Sequence, residues 1–162
     1  MTDPSLPPAL ARNDEAPAYW FLDILWIVLA SDHATDGRFT VMEQLMPGGS
    51  GPGPHVHPDN DEWFYVMDGA LDMTVGGQDI HATAGQSVFI PRGTIHAFKV
   101  SSEVCRVLNG FTPAAMDAII REVARPAGQR TLPPKGLDQD PAKLERFANN
   151  GIGHTVYGVR LK

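Results

Sequence analysis

The chain has 162 residues, 43% of them hydrophobic, which is enough apolar material for one core and one compact domain. Its net charge of -6 comes from dispersed acidic residues with no Lys/Arg cluster, so no footprint for nucleic acid exists and small molecules or proteins remain as partners. No signal core or membrane-length apolar run is present and the single cysteine excludes an internal disulfide, so a soluble, cytoplasmic protein with no membrane partner is expected.

Residues 1–17 hold four prolines among small and charged residues, a composition that buries little surface, and are expected to form a flexible N-terminal arm. Residues 19–31, YWFLDILWIVLAS, and 38–46, RFTVMEQLM, are rich in aromatic and β-branched residues and read as two strands, although the first also fits a helix. As one strand, the first places Trp20 and Trp26 on a single face. Short strands follow at 62–67, 70–75, 78–82, 87–91, 96–100 and 104–111, and the turn dipeptides Asp68-Gly69 and Gly76-Gly77 separate the first three. Many short strands joined by glycine turns indicate a closed or sandwiched all-β domain, here over residues 18–111. Cys105, in the alternating run from Val104 to Leu108, reads as a buried structural thiol.

At Thr112 the texture changes. Thr112 suits an N-cap and Pro113 a first helical position, and Met116, Ile119, Ile120 and Val123 then fall on one helical face before Pro126. A second, shorter helix is expected at 141–150, capped by Asp140 with Leu144 and Phe147 on one side, and 126–139 reads as a linker. Residues 112–162 would thus be a helical extension and tail, with one or two helices packed outside the barrel. The aromatic first strand and the first helix offer more apolar surface than a small monomer needs, which favours a homodimer.

The stretch GGSGPGPHVHPDNDEWFYVMDG, residues 48–69, carries the chemistry. His55 and His57 sit at i and i+2, so on a strand both imidazoles project to one face, the arrangement a divalent transition metal needs. Glu62 lies an odd number of residues beyond His57, but Pro58-Asp59-Asn60-Asp61 is turn material that resets the parity. Glu62 then shares a face with Phe64 and Val66, where an unpaired carboxylate is costly and a metal would neutralise it. A fourth ligand is available in His96, delivered to the head of a strand by the turn from Pro91 to Ile95. His33, His81 and His154 have no partner at ligand spacing and read as solvent-facing or structural. The loop at 48–54 lacks phosphate-cradle spacing, and its prolines remove N–H donors, so it reads as shaping a barrel mouth.

Gly49-(5 residues)-His55-Val56-His57-(4 residues)-Glu62-(6 residues)-Gly69 reproduces the first cupin motif, and Gly85-(5 residues)-Pro91-Arg92-Gly93-(2 residues)-His96 most of the second. On these residues the chain resembles the cupin superfamily, and within it the single-domain small-barrel cupins of the quercetin 2,3-dioxygenase-like type. The helix sequence FTPAAMDAIIREV resembles the Thr-Pro-capped helix that follows the barrel in many of them. The second motif departs from the pattern at Val100, where the family usually has Asn. The resemblance implies a jelly-roll barrel, the double-stranded β-helix, and a metal site of His55, His57, Glu62 and His96 holding one divalent transition metal per chain, Fe, Mn, Ni or Co rather than Zn or Cu. It also implies a dioxygenase, an oxidoreductase acting on a small hydroxylated or enolisable apolar substrate, with Glu62 as the catalytic base. Phe64, Val66, Met73, Val75, Phe89 and Phe98 are the candidates for its pocket wall. A metal-dependent isomerase, epimerase or lyase stays open, although a cupin lyase of dimethylsulfoniopropionate would carry Tyr at the position of Phe64. So does a non-catalytic ligand-binding cupin, but regulatory ones commonly carry a DNA-binding domain, for which about 17 N-terminal residues are too few.

Overall fold

The computed structural model describes residues 6–156, and these form two antiparallel sheets facing one another across a common core. The chain opens with β1 (Ala18–Phe21), β2 (Ile24–Ala30), a single helical turn α1 (Asp32–Thr35), β3 (Thr40–Pro47) and the short β4 (His55–Val56). The centre of the sequence supplies β5 (Asp61–Asp68), β6 (Ala70–Val75), β7 (Gln78–Thr83), β8 (Ser87–Ile90), β9 (His96–Val100) and β10 (Val104–Thr112). It closes with α2 (Asp117–Val123), β11 (Arg125–Pro126), α3 (Pro141–Ala148) and β12 (His154–Thr155). One sheet runs in the order β11-β1-β2-β3-β10-β5-β8 and the other β12-β4-β9-β6-β7, so the expected all-β jelly roll is what forms.

Period-two alternation fixes what faces inward. On β5, Glu62, Phe64 and Val66 are buried while Tyr65 and Met67 are exposed. On β3 the inward set is Thr40, Met42, Gln44 and Met46, and on β10 it is Cys105, Val107, Asn109 and Phe111. Across the facing sheet, Leu71 pairs with Val100, Met73 with Phe98 and Val75 with His96. Along β5 and the facing β9 the interior therefore grades from hydrocarbon at one end to polar side chains at the other. Cys105 sits in the hydrocarbon part at 0% exposure, and burial pushes its thiol up to about 11, as suits a structural residue.

Two expectations need correction. Residues 19–31 form a hairpin rather than one strand: Leu22 adopts a left-handed φ of 55°, and β1 folds back on β2 with Phe21 opposite Ile24. Trp26 then enters the main core, whereas Trp20 lies on the other face of the sheet with Leu25 and Ile27, so the two tryptophans do not share a face. The first long helix starts at Asp117, because Thr112 and its cis peptide to Pro113 end β10, where Thr112 pairs with Asp61. Its stripe of Ile119, Ile120 and Val123 is buried against the chain's own core, so it is not spare surface. The first five residues of the expected N-terminal arm, 1–17, lie outside the described residues; at its other end Asn13 donates to Glu43 at 2.6 Å, Val28 N–H donates to the Pro17 carbonyl, and Ala16 is buried.

The second helix forms where its cap places it, with the Asp140 carboxylate accepting from Ala142 N–H at 2.9 Å. The Phe147 ring packs 4.9 Å from that of Phe21. From there the chain does not leave the barrel. Thr155 pairs with His55, so β12 adds a strand beside β4 and lays the tail across the polar end of the interior.

Candidate metal centre

His55, His57, Glu62 and His96 each bring one potential ligand atom to a single point, all four within 4.8 Å of one another. Their convergence follows from local structure. His55 pairs with His96 across β4 and β9, and Glu62 faces them from β5 on the opposite sheet. Arg92 pins the connecting turn: its backbone N–H donates to the Asp61 carboxylate at 2.9 Å and its guanidinium to the same group at 2.8 Å, which ties the turn before His96 to the head of β5. These bonds hold the Asp61 carboxyl down at about 2. Gly93 N–H donates to the His57 carbonyl at 2.8 Å, which closes the ring of connections.

The protonation of the rings is set by their outer partners. Nδ1 of His55 meets the Gly53 carbonyl at 2.9 Å, Nδ1 of His57 the Ile152 carbonyl at 2.9 Å and Nδ1 of His96 the Thr94 carbonyl at 2.9 Å. A carbonyl only accepts, so each Nδ1 carries a proton, which leaves Nε2 as the atom that either holds a second proton or presents its lone pair. The Glu62 Oε2 atom stands 3.0 Å from His96 Nε2 and 3.4 Å from His57 Nε2. Lone pairs facing a carboxylate at that range repel unless a proton or a cation lies between them. This donor set, three imidazole nitrogens and one carboxylate oxygen with ring orientations fixed from behind, suits a single transition-metal ion.

Burial, reinforced by the neighbouring His96, pushes His55 down to about 4 and so keeps its ring neutral. Burial also disfavours the charged form of His57, but the hydrogen bond and charge of Glu62 outweigh it and raise its pKa. Burial alone would raise Glu62, yet the hydrogen bonds from His57 and His96 dominate and hold it at about 2. The carboxylate stays ionised although its residue is 4% exposed.

A cavity of about 580 Å³ opens over the cluster. Of the six pocket candidates, Phe64 and Phe98 line it, their rings T-shaped at 5.2 Å. Val66 and Met73 are buried deeper in the packed core, and Val75 packs at the core's edge opposite His96, so these three are not cavity wall. Phe89 faces away altogether: it is 62% exposed, because Val88 and Ile90 take the inward positions of β8. Residues beyond those candidates complete the cavity. Trp26 enters from the hairpin, Gln44 and Asn109 from β3 and β10, and Phe147, Asn150 and Thr155 from the tail. Gln44 and Asn109 had a signal, since in the inward alternation Gln44 stands between Met42 and Met46 and Asn109 between Val107 and Phe111. The tail had none beyond Gly153, where a Cβ would meet His57 Cε1 at 2.9 Å, so only glycine permits that approach. His33 and His81 lie apart on exposed surface, His81 with Asp72, and His154 is exposed on β12.

A double-sheet jelly roll whose mouth gathers three imidazoles and a carboxylate defines a barrel protein with a candidate transition-metal site. Residues 41–111 match the Cupin domain family, which supports membership of the cupin superfamily. It is 27% identical over 128 residues to quercetin 2,3-dioxygenase of Bacillus subtilis, an alignment that covers 79% of this chain and 37% of that protein. It is 34% identical over 74 residues to the HTH-type transcriptional regulator PuuR of Escherichia coli, covering 45% of this chain and 40% of the relative. The chain thus spans well under two thirds of either relative. Among solved structures, ectoine synthase from P. lautus shares the fold with a TM-score of 0.62 at 16% identity, over 81% of this chain and 96% of that one. Among the described residues, no helix is long and apolar enough to cross a membrane.

Proposed function

We propose that this cupin is a metal-dependent dioxygenase of the quercetinase-like type, acting on a small hydroxylated or enolisable apolar substrate. The observation that carries the reading is the placement of an ionised, buried Glu62 at the base of a cavity walled by Phe64, Phe98, Phe111 and Phe147. The similarity to the bacterial quercetin dioxygenase over 79% of the chain supports it. His55, His57, His96 and Glu62 would hold one divalent ion, Fe, Mn, Ni or Co. When bound, that ion supplies a positive charge that lowers the pKa of a substrate hydroxyl and gives access to dioxygen chemistry.

The chain's own residues do the rest. The aromatic walls bind and orient a flat apolar body and exclude water from it. Glu62 would take the hydroxyl proton, which leaves the substrate as an electron-rich oxyanion, the form that reacts with O2. Asn150 and Thr155 offer polar contacts at the tail side of the cavity. The protein would work in the cytoplasm as a homodimer. That pairing draws support from Tyr65, Met67 and Phe89, exposed on the outer face of the larger sheet, and no longer from Trp20 with Trp26 or from α2.

The test is oxygen uptake on a panel of flavonols, catechols and β-diketones, with the protein loaded in turn with each of the four metals. The expected result is uptake on at least one substrate that Glu62→Gln lowers by about 100-fold or more. Turnover without oxygen uptake would overturn the dioxygenase in favour of an isomerase, epimerase or lyase, and a silent panel would favour a ligand-binding role.

A further inference from the structure

Two buried amides stand behind the centre, and no step above uses them. Asn109 on β10 is 2% exposed and Gln44 on β3 is 3% exposed. Asn109 Nδ2 donates to Glu62 Oε1 at 2.9 Å and to the Trp63 carbonyl at 3.3 Å. Both partners only accept, so the amide nitrogen must face β5 and Oδ1 must face β3. There Gln44 Nε2 donates to Asn109 Oδ1 at 3.1 Å. The polarity of the chain from Gln44 through Asn109 to Glu62 is therefore set end to end.

This arrangement divides the labour of the carboxylate. Oε1 is occupied by Asn109, and it is Oε2 that stands 3.0 Å from His96 Nε2. The terminal torsion of a glutamate is broad and roughly two-fold, so without a donor on Oε1 the group could turn and offer either oxygen or both. We infer that Asn109 is a positioning residue for the metal centre: it restricts Glu62 to a single coordinating oxygen, Oε2, and Gln44 keeps Asn109 from turning its amide. The inference rests on reading the four-residue cluster as a metal centre. A buried hydrogen bond to a charged group is strong enough for the task, because loss of the donor leaves a carboxylate oxygen with no partner in a low-dielectric site.

The experiment uses the full chain and Co(II) as the probe. Wild type, Asn109→Leu and Gln44→Met are compared by Co(II) Kd near neutral pH, by the visible spectrum of the Co(II) form and by the melting temperature of the metal-free protein. Leu keeps the branching of Asn at Cγ but cannot donate, and the expected result is a Kd raised about 10- to 100-fold with an altered spectrum, as for other residues that orient a metal ligand. Gln44→Met is expected to move both readouts the same way by a smaller factor, about 3-fold or more. Wild-type Kd and spectrum in both variants, with only the melting temperature lowered, would overturn the inference, since the amides would then merely satisfy a buried carboxylate. If Asn109→Leu does not fold, Gln44→Met decides by the same two readouts. A wild-type chain that binds no Co(II) overturns the metal reading itself, and the inference with it.

Discussion

Glu62, Phe64 and Val66 are successive inward residues of one strand, yet they belong to two different materials. Val66 is sealed at 0% exposure among Leu71, Val100 and Val107, while Glu62, four residues away, faces imidazoles at the base of a cavity. The facing strand repeats the gradient from Val100 through Phe98 to His96. At the hydrocarbon end every inward side chain contributes to stability and none to chemistry. At the polar end the frame is already held by strand pairing and by Asp61 with Arg92, so the side chains are free to be chosen for what they bind. The two ends should therefore fail separately.

The largest expected effect is at the polar end. His57→Ala removes one of four converging donors and should weaken metal retention by at least about 100-fold, beyond what loss of a supporting residue costs, while the melting temperature of the metal-free protein moves little. Elemental analysis and thermal unfolding of the same sample check both halves, and a variant that retains full metal would remove His57 from the site. Next comes the opposite end: Leu71→Ala should cost about 2–5 kcal/mol of stability, measured by urea unfolding, with metal stoichiometry unchanged. Metal loss in a folded Leu71→Ala protein would mean the ends are coupled.

The smallest expected effect is the acid response of the metal-free protein. Glu62 is held at about 2 against an ordinary 4.5, so the unfolded chain takes up its proton first. The stability it contributes is present above about 4.5 and lost as pH falls toward 2. His55 is depressed to about 4 from 6.5, which adds a loss as pH falls between those values, and the raised pKa of His57 offsets it in the same direction of titration. Urea midpoints against pH should thus drop below about 4.5, with Glu62→Gln flattening the drop. An unchanged drop in Glu62→Gln would place the acid-sensitive groups elsewhere.

The polar end was legible because its residues obey parity. His55 and His57 are two apart, the turn from Pro58 to Asp61 brings Glu62 back to their side, and a second turn delivers His96. What was not legible is instructive in each case. The hairpin at Leu22 has no glycine or asparagine to announce its left-handed residue, so β1 and β2 read as one strand. Thr112 and Pro113 carry good helix-start chemistry, but pairing of Thr112 with Asp61 in the sheet overrides it. Phe89 is as hydrophobic as Phe98, and only the pairing of β8 with β5, which sets Phe89 across from Trp63, decides that it points outward. The tail has no period at all; it is recruited by long-range bonds, Val156 N–H to the Pro54 carbonyl among them.

That tail has a thermodynamic consequence. The Ile152 carbonyl accepts from His57 Nδ1 and Thr155 pairs with His55, so the same backbone that closes the mouth also orients two rings of the centre. Coupling of this kind is reciprocal: whatever factor a filled centre adds to the docking of the tail, a docked tail adds to the centre's hold on its ion. With an ion bound, the last described residues would act as a latch, and substitutions in a segment with no ligand of its own would tune the affinity of the site it covers.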